Sequence, residues 1–154
     1  MSVDCDVAIL GAGIAGSTAA TLLARAGATV LLLDRARFPR DKVCGGCLHA
    51  DALAALDRAG LTDAIAVDAP VLRVAALHVA GRALRLRIPP GRVISRRRFD
   101  AALLGHAVAA GVRLRLGAGA RIERIEQDGV VVAAGADRIR CKMALLARGL
   151  ASAS

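Results

Sequence analysis

The chain has 154 residues, 56% of them hydrophobic and rich in alanine, leucine and valine; this suits one domain with a buried core and excludes a disordered tail. The formal net charge of +9 invites a nucleic-acid partner, but the arginines are spread along the chain and the only aromatics are Phe38 and Phe99, too few to stack bases, so no nucleic acid is expected. Apolar runs such as Val7–Leu10 fall far short of the roughly 20 residues of a membrane helix, and Asp4 and Asp6 stand where a signal peptide would be positive, so the expectation is a cytoplasmic protein with no transmembrane segment.

Val3–Leu10 is a short apolar run without alternation, as in a strand buried on both faces of a parallel sheet. It leads into Gly11-Ala12-Gly13-Ile14-Ala15-Gly16, and Ile14–Ala26 then reads as a helix with Gly27 as its C-cap. Thr29–Leu33 is the next strand, closed by Asp34, and Arg35–Gly46 is a loop marked by Pro39, Gly45 and Gly46. A helix over Asp51–Ala59 ends at Gly60. Val71–Ile88 is expected to be a hairpin turning at Ala80-Gly81 and ended by Pro89-Pro90. Arg98–Ala110 reads as a helix with Phe99, Leu103 and Ala107 on one face, and Val112–Leu116 as a strand. Arg121–Gln127 and Val130–Ala134 form a hairpin around Asp128-Gly129. The last strand, Arg138–Ala147, has an end at Met143–Ala147 apolar enough to be central. Nothing in the tail from Gly149 to Ser154 closes a domain, so the chain is expected to be truncated.

The glycine turn carries the strongest chemical signal. Gly11 permits the tight turn, Gly13 lets backbone approach a pyrophosphate, and Gly16 lets the helix sit close to the strand. The helix behind it aims its N-terminal N–H groups and positive dipole end at phosphate. Ala20 supplies the small residue that the helix needs, and Asp34, eighteen positions beyond Gly16, is placed to accept hydrogen bonds from the adenosine ribose. This unit alone does not separate NAD from FAD, but an acid at position 34 disfavours a ribose 2′-phosphate.

Two further segments decide. Phe38-Pro39-Arg40-Asp41-Lys42-Val43-Cys44-Gly45-Gly46 resembles the loop after the second strand in the geranylgeranyl reductase family of flavoproteins, and Arg96-Arg97-Arg98-Phe99-Asp100 with Leu103 resembles the R-x-x-F-D-x-x-L segment of that family and of the related aromatic-ring hydroxylases. The resemblance spans positions 3 to about 150 in order and implies a Rossmann-like FAD-binding portion over residues 1–154. It implies that Gly11, Gly13, Ala15 and Gly16 line the pyrophosphate and that Asp34, with Arg35 beside it, holds the ribose. It also implies that Arg96 approaches the FAD, that Ala120 contacts the adenine through its backbone, and that Cys44, Gly45 and Gly46 lie on the flavin side. Cys44 is then a candidate substrate-pocket residue, and no catalytic residue is assigned. The family pattern needs only the first cysteine of Cys44-x-x-Cys47, so a redox pair is the alternative to two spectator thiols. Cys5 and Cys141 fall in strands and read as small buried hydrophobes. No metal site is expected, and no carboxylate or hydroxyl stands at a telling sequence spacing from His49, His78 or His106.

One departure stands out. Family members carry Ala-Asp-Gly or Ala-x-Gly after the last strand, where this chain has Ala147-Arg148-Gly149. The expected fold class is α/β: a parallel sheet flanked by helices, with a small antiparallel β layer from the Val71–Ile88 and Arg121–Ala134 hairpins. The implied function is a flavin-dependent oxidation–reduction on a small molecule. An isoprenoid double bond is the first expectation and hydroxylation or halogenation of a small aromatic the second, with NAD(P)H the candidate external reductant. The rival is a non-catalytic nucleotide-binding module.

Overall fold

A computed structural model describes residues 3–44 and 46–149. They form two compact units, 1–40 with 100–154 and 41–99, each taken by itself below.

The first unit is built on a six-stranded sheet. Strand β1 (Cys5–Leu10) is followed by helix α1 (Ile14–Arg25) and strand β2 (Val30–Asp34). In the second unit come β3 (Cys47–Leu48), α2 (Ala50–Arg58), a short 3-10 turn at Thr62–Ala64, β4 (Val71–Val79) and β5 (Arg82–Val93). Helix α3 (Arg96–Ala109) leads back to the first unit, which is completed by β6 (Arg113–Leu116), β7 (Ala120–Glu126), β8 (Gly129–Ala134) and β9 (Asp137–Leu146). The six strands lie in the order β6-β2-β1-β9-β8-β7. The β1–β2, β1–β9 and β2–β6 pairs are parallel, and β7–β8 and β8–β9 are antiparallel.

Burial explains the lack of alternation in β1. Ala8, Ile9 and Leu10 are all buried, because the strand is central and both of its faces are covered. On one face Val7, Ile9, Val30 and Leu32 pack with Ala20 of α1 and with Leu104 and Ala107 of α3; on the other, Ala8, Leu10 and Leu33 pack with Val132, Ile139 and Cys141. In keeping with its apolar end, β9 lies between β1 and β8.

Two details differ from the sequence reading. The Arg121–Ala134 hairpin does not join a separate antiparallel layer: β8 pairs with β9, so the hairpin extends the main sheet. The small three-stranded sheet of the second unit, β3-β5-β4, is made without it. Pro89-Pro90 also fails to end its strand, since β5 continues to Val93. The reason lies in the register: Leu72 faces Gly91 and Val74 faces Arg87, with a bulge between them. The prolines occupy that irregularity, where the ladder does not need their missing N–H. No helix among the described residues is long and apolar enough to cross a membrane.

Candidate functional site

The first-unit site is assembled where β1 and β2 end. Gly11 closes β1 with φ of 116°, backbone that favours glycine, and a Cβ there would strike the Ala147 carbonyl. Gly16, in the first turn of α1, lies so close to the Gly11 carbonyl that a Cβ would overlap it. The two glycines thereby bring the start of the helix against the end of the strand. Gly13 is the N-cap of α1, with no side-chain cap and no acid in the first turn. The first N–H groups of a helix have no intrahelical partner and carry the positive end of its dipole, so this end is suited to phosphate. Ala15 lies exposed in the same turn.

Gly13 differs from its neighbours. Its backbone is extended (φ −76°, ψ −169°), open to any residue, and a Cβ would meet only Arg40 Nη2, at 3.5 Å. Gly13→Ala is therefore expected to cost at most about 1 kcal/mol of stability, as for an alanine N-cap. By filling the space where phosphate approaches, it should weaken FAD binding by about tenfold or more. Thermal melts and calorimetric titration on one preparation check both halves; unchanged affinity would remove phosphate from this turn.

Asp34 ends β2 with its carboxylate already fixed. Oδ2 accepts from the Ala12 N–H and Oδ1 from the Ala36 N–H, each at 2.8 Å. An ionised carboxylate offers about four acceptor sites, so two hydroxyls can still be received. Arg35 and Ala120 line the same cleft, of about 190 Å³, together with Leu10, Gly11, Leu33, Gly119 and Arg148. The structure thus brings Gly11, Asp34, Arg35 and Ala120 together. Sequence reasoning does not assign Arg148 to the site, although its place in a slot expected to be variable or acidic is a signal. Its Nη2 donates to the Ala120 carbonyl at 2.9 Å.

Within the second unit, Cys44, Gly46 and Arg96 line one cleft, of about 350 Å³, with Lys42 and Ile94. The Ile94 N–H donates to the Gly46 carbonyl at 2.6 Å, which ties the loop to the residues just before α3. Gly45 lies outside the described residues. His49 serves structure: its Nδ1 accepts from the Ala52 N–H at 3.4 Å and caps α2. Among the described residues no cluster of His, Cys, Asp and Glu is placed to hold a metal ion.

The cysteines divide by environment. Cys5 and Cys141 are buried register partners on β1 and β9, and burial pushes the Cys5 thiol up to about 11 and raises Cys141 as well. Cys44 and Cys47 are exposed. The thiolate is the reactive form, so brief alkylation at neutral pH should label Cys44 and Cys47 and spare Cys5 and Cys141 until the chain unfolds. Oxidant treatment should leave Cys44 and Cys47 open to alkylation; a reversible disulfide mapped between them by mass would make them a redox pair. The folded chain holds the Cys5 proton more tightly than the unfolded chain. The stability it contributes is therefore intact below about pH 9 and is lost as pH rises toward 11.

A family model described as FAD binding domain matches residues 4–142. The menaquinone reductase of Mycobacterium tuberculosis is 34% identical, covering 99% of this chain and 40% of that protein. The probable electron transfer flavoprotein-quinone oxidoreductase YgcN of Escherichia coli is 35% identical, covering 97% of this chain and 37% of its own length. The chain thus spans 30–40% of the length of these and similar curated relatives. Among solved structures, a geranylgeranyl bacteriochlorophyll reductase-like protein from Thermoplasma acidophilum superposes with a TM-score of 0.77 at 23% identity, over 94% of this chain and 39% of that one. The myxobacterial chondrochloren halogenase does so with 0.80 at 24%, over 94% and 37%; these two likenesses concern the fold. With the family model matching residues 4–142 on a strand, glycine turn, helix and acid arranged as described, the chain belongs to the FAD binding domain family.

Proposed function

We propose that this chain is the FAD-holding portion of a flavin-dependent oxidoreductase of the geranylgeranyl reductase type. The observation that carries the reading is the fixed Asp34 carboxylate, with two acceptor sites left, beside an uncapped α1 N-terminus. The residues present fit the cofactor. The α1 N-terminus would hold the pyrophosphate, Asp34 the adenosine ribose, and the cleft with Arg35 and Ala120 the adenine. Arg96, Cys44 and the glycines after it would serve the flavin side and the substrate.

When bound, FAD supplies hydride or single-electron transfer; the chain's residues bind it and orient it. The favoured substrate is an isoprenoid double bond. A relative named as a menaquinone reductase supports that choice. NAD(P)H is the proposed external reductant and a small aromatic the second substrate reading.

The test is calorimetric titration with FAD, ADP, 5′-AMP and 2′,5′-ADP. FAD and ADP should compete for one site, and 2′,5′-ADP should bind at least about tenfold more weakly than 5′-AMP, which differs from it only in lacking the 2′-phosphate that meets the Asp34 carboxylate. Absence of ADP binding, or a preference for the 2′-phosphate, overturns the reading.

A further inference from the structure

The carboxylate of Asp100, on α3, is fully buried, and no step of the proposed cofactor binding uses it directly. It faces Arg40. The Arg40 Nη2 lies 3.6 Å from Asp100 Oδ2 and 4.0 Å from Asp34 Oδ2. The guanidinium stands 4.9 Å from the centroid of the Phe38 ring, and the same Nη2 lies 3.5 Å from the point where a Cβ on Gly13 would be. Arg40 Nε is buried with no hydrogen-bond partner among the described residues. A cation is thus suspended between two acids, over a ring, at the uncapped start of α1.

Burying a carboxylate is costly, and hydrophobic residues of like volume commonly serve stability as well. Stability alone therefore does not account for a buried acid in this place. We propose that Asp100 is a positioning residue for the cofactor site: it draws the Arg40 guanidinium away from Asp34 and holds it beside Gly13, facing the pyrophosphate. The inference rests on the FAD reading above.

Geometry and charge support the assignment. Neither contact of Nη2 has the length, near 2.8 Å, of a charge-assisted hydrogen bond, so the fork of guanidinium donors is not consumed by a bidentate pair and remains for phosphate oxygens. Without Asp100, the only acid left to Arg40 in this cluster is Asp34. A shift toward Asp34 would carry the guanidinium away from Gly13 and from the pyrophosphate, while the two acceptor sites left on Asp34 can still receive the ribose. The acid on α3 thus orients the phosphate half of the site.

The test compares ADP with adenosine, which share the ribose and base and differ in the phosphates. On the full chain, Asp100→Asn should weaken ADP by about tenfold or more while adenosine stays within about twofold. Arg40→Gln should do the same, and the double variant should be no worse than Arg40→Gln alone, since both act through one contact. The double variant also replaces the buried ion pair by a neutral pair, so it keeps the comparison available if Asp100→Asn alone does not fold. Equal losses for ADP and adenosine would make Asp100 merely structural and overturn the proposal, as would an unchanged ADP-to-adenosine ratio in the double variant. A wild-type chain that binds neither nucleotide overturns the FAD reading together with this inference. A wild-type chain that binds both, with the variants unaffected, overturns this inference alone.

Discussion

Gly16→Ala is expected to remove both the stability of the first unit and its nucleotide binding. The new Cβ would overlap the Gly11 carbonyl and also press on the Ala147 Cβ, 3.3 Å away. Neither neighbour is free to give: the Gly11 N–H donates to the Leu33 carbonyl at 2.7 Å and the Ala147 N–H to the Leu10 carbonyl at 2.8 Å. The start of α1 would have to retreat from β1, uncovering Ala20 and the core beneath it. Overpacking of a rigid site costs ~1–3 kcal/mol, and displacement of a helix places this case at the upper end or beyond, about 3 kcal/mol or more. Urea denaturation followed by circular dichroism measures the first effect and ADP titration the second. A variant with wild-type midpoint and affinity would mean that the helix start is not held against the strand as described.

The second large effect concerns Asp34. In Asp34→Ala the N–H groups of Ala12 and Ala36 lose their acceptor, and the ribose, on the proposed reading, loses the carboxylate. Losing charged hydrogen bonds of this kind typically costs ~1–3 kcal/mol, so ADP and FAD should both bind about 5- to 150-fold more weakly. Asp34→Asn is the informative companion. The amide oxygen can keep one backbone N–H, while its NH2 group turns a donor toward the other. Its affinity should fall with that of the alanine variant, while its stability stays nearer the wild type. ADP affinity unchanged in both variants, measured by calorimetry well below the melting temperature, would take Asp34 out of the site.

Much of this chain is legible in the order of its amino acids, because the causes are local. The uniform apolar run at Val7–Leu10, ending at a glycine turn, suits a strand covered on both faces, and β1 is central. The order of strand, glycines, helix and acid defines a tight strand-to-helix turn, because Gly11 and Gly16 answer steric demands of their immediate surroundings. Periodicity likewise places Phe99, Leu103 and Ala107 of α3 in the core, where all three are buried.

The remainder depends on partners distant in sequence. Nothing local says whether the hairpin of β7 and β8 pairs with β9 or with the second unit's strands, since alternation describes a strand's faces and not its neighbours. Pro89-Pro90 reads as a stop because a missing N–H normally ends a ladder, and only the register with β4 shows that no bond is required there. Arg148 reaches the cleft beside Asp34 because β9 returns beside β1, about 140 residues after it in the chain. Asp100 shows in the sequence as one letter of a motif. That it faces Arg40, sixty positions earlier and next to Gly13, is decided by the packing of α3 on the sheet. Sequence by itself determined the elements and the turn, whose causes lie within a few residues; the tertiary structure decided which side chains share a site, because burial and ion pairing are set by elements that meet only in the folded chain.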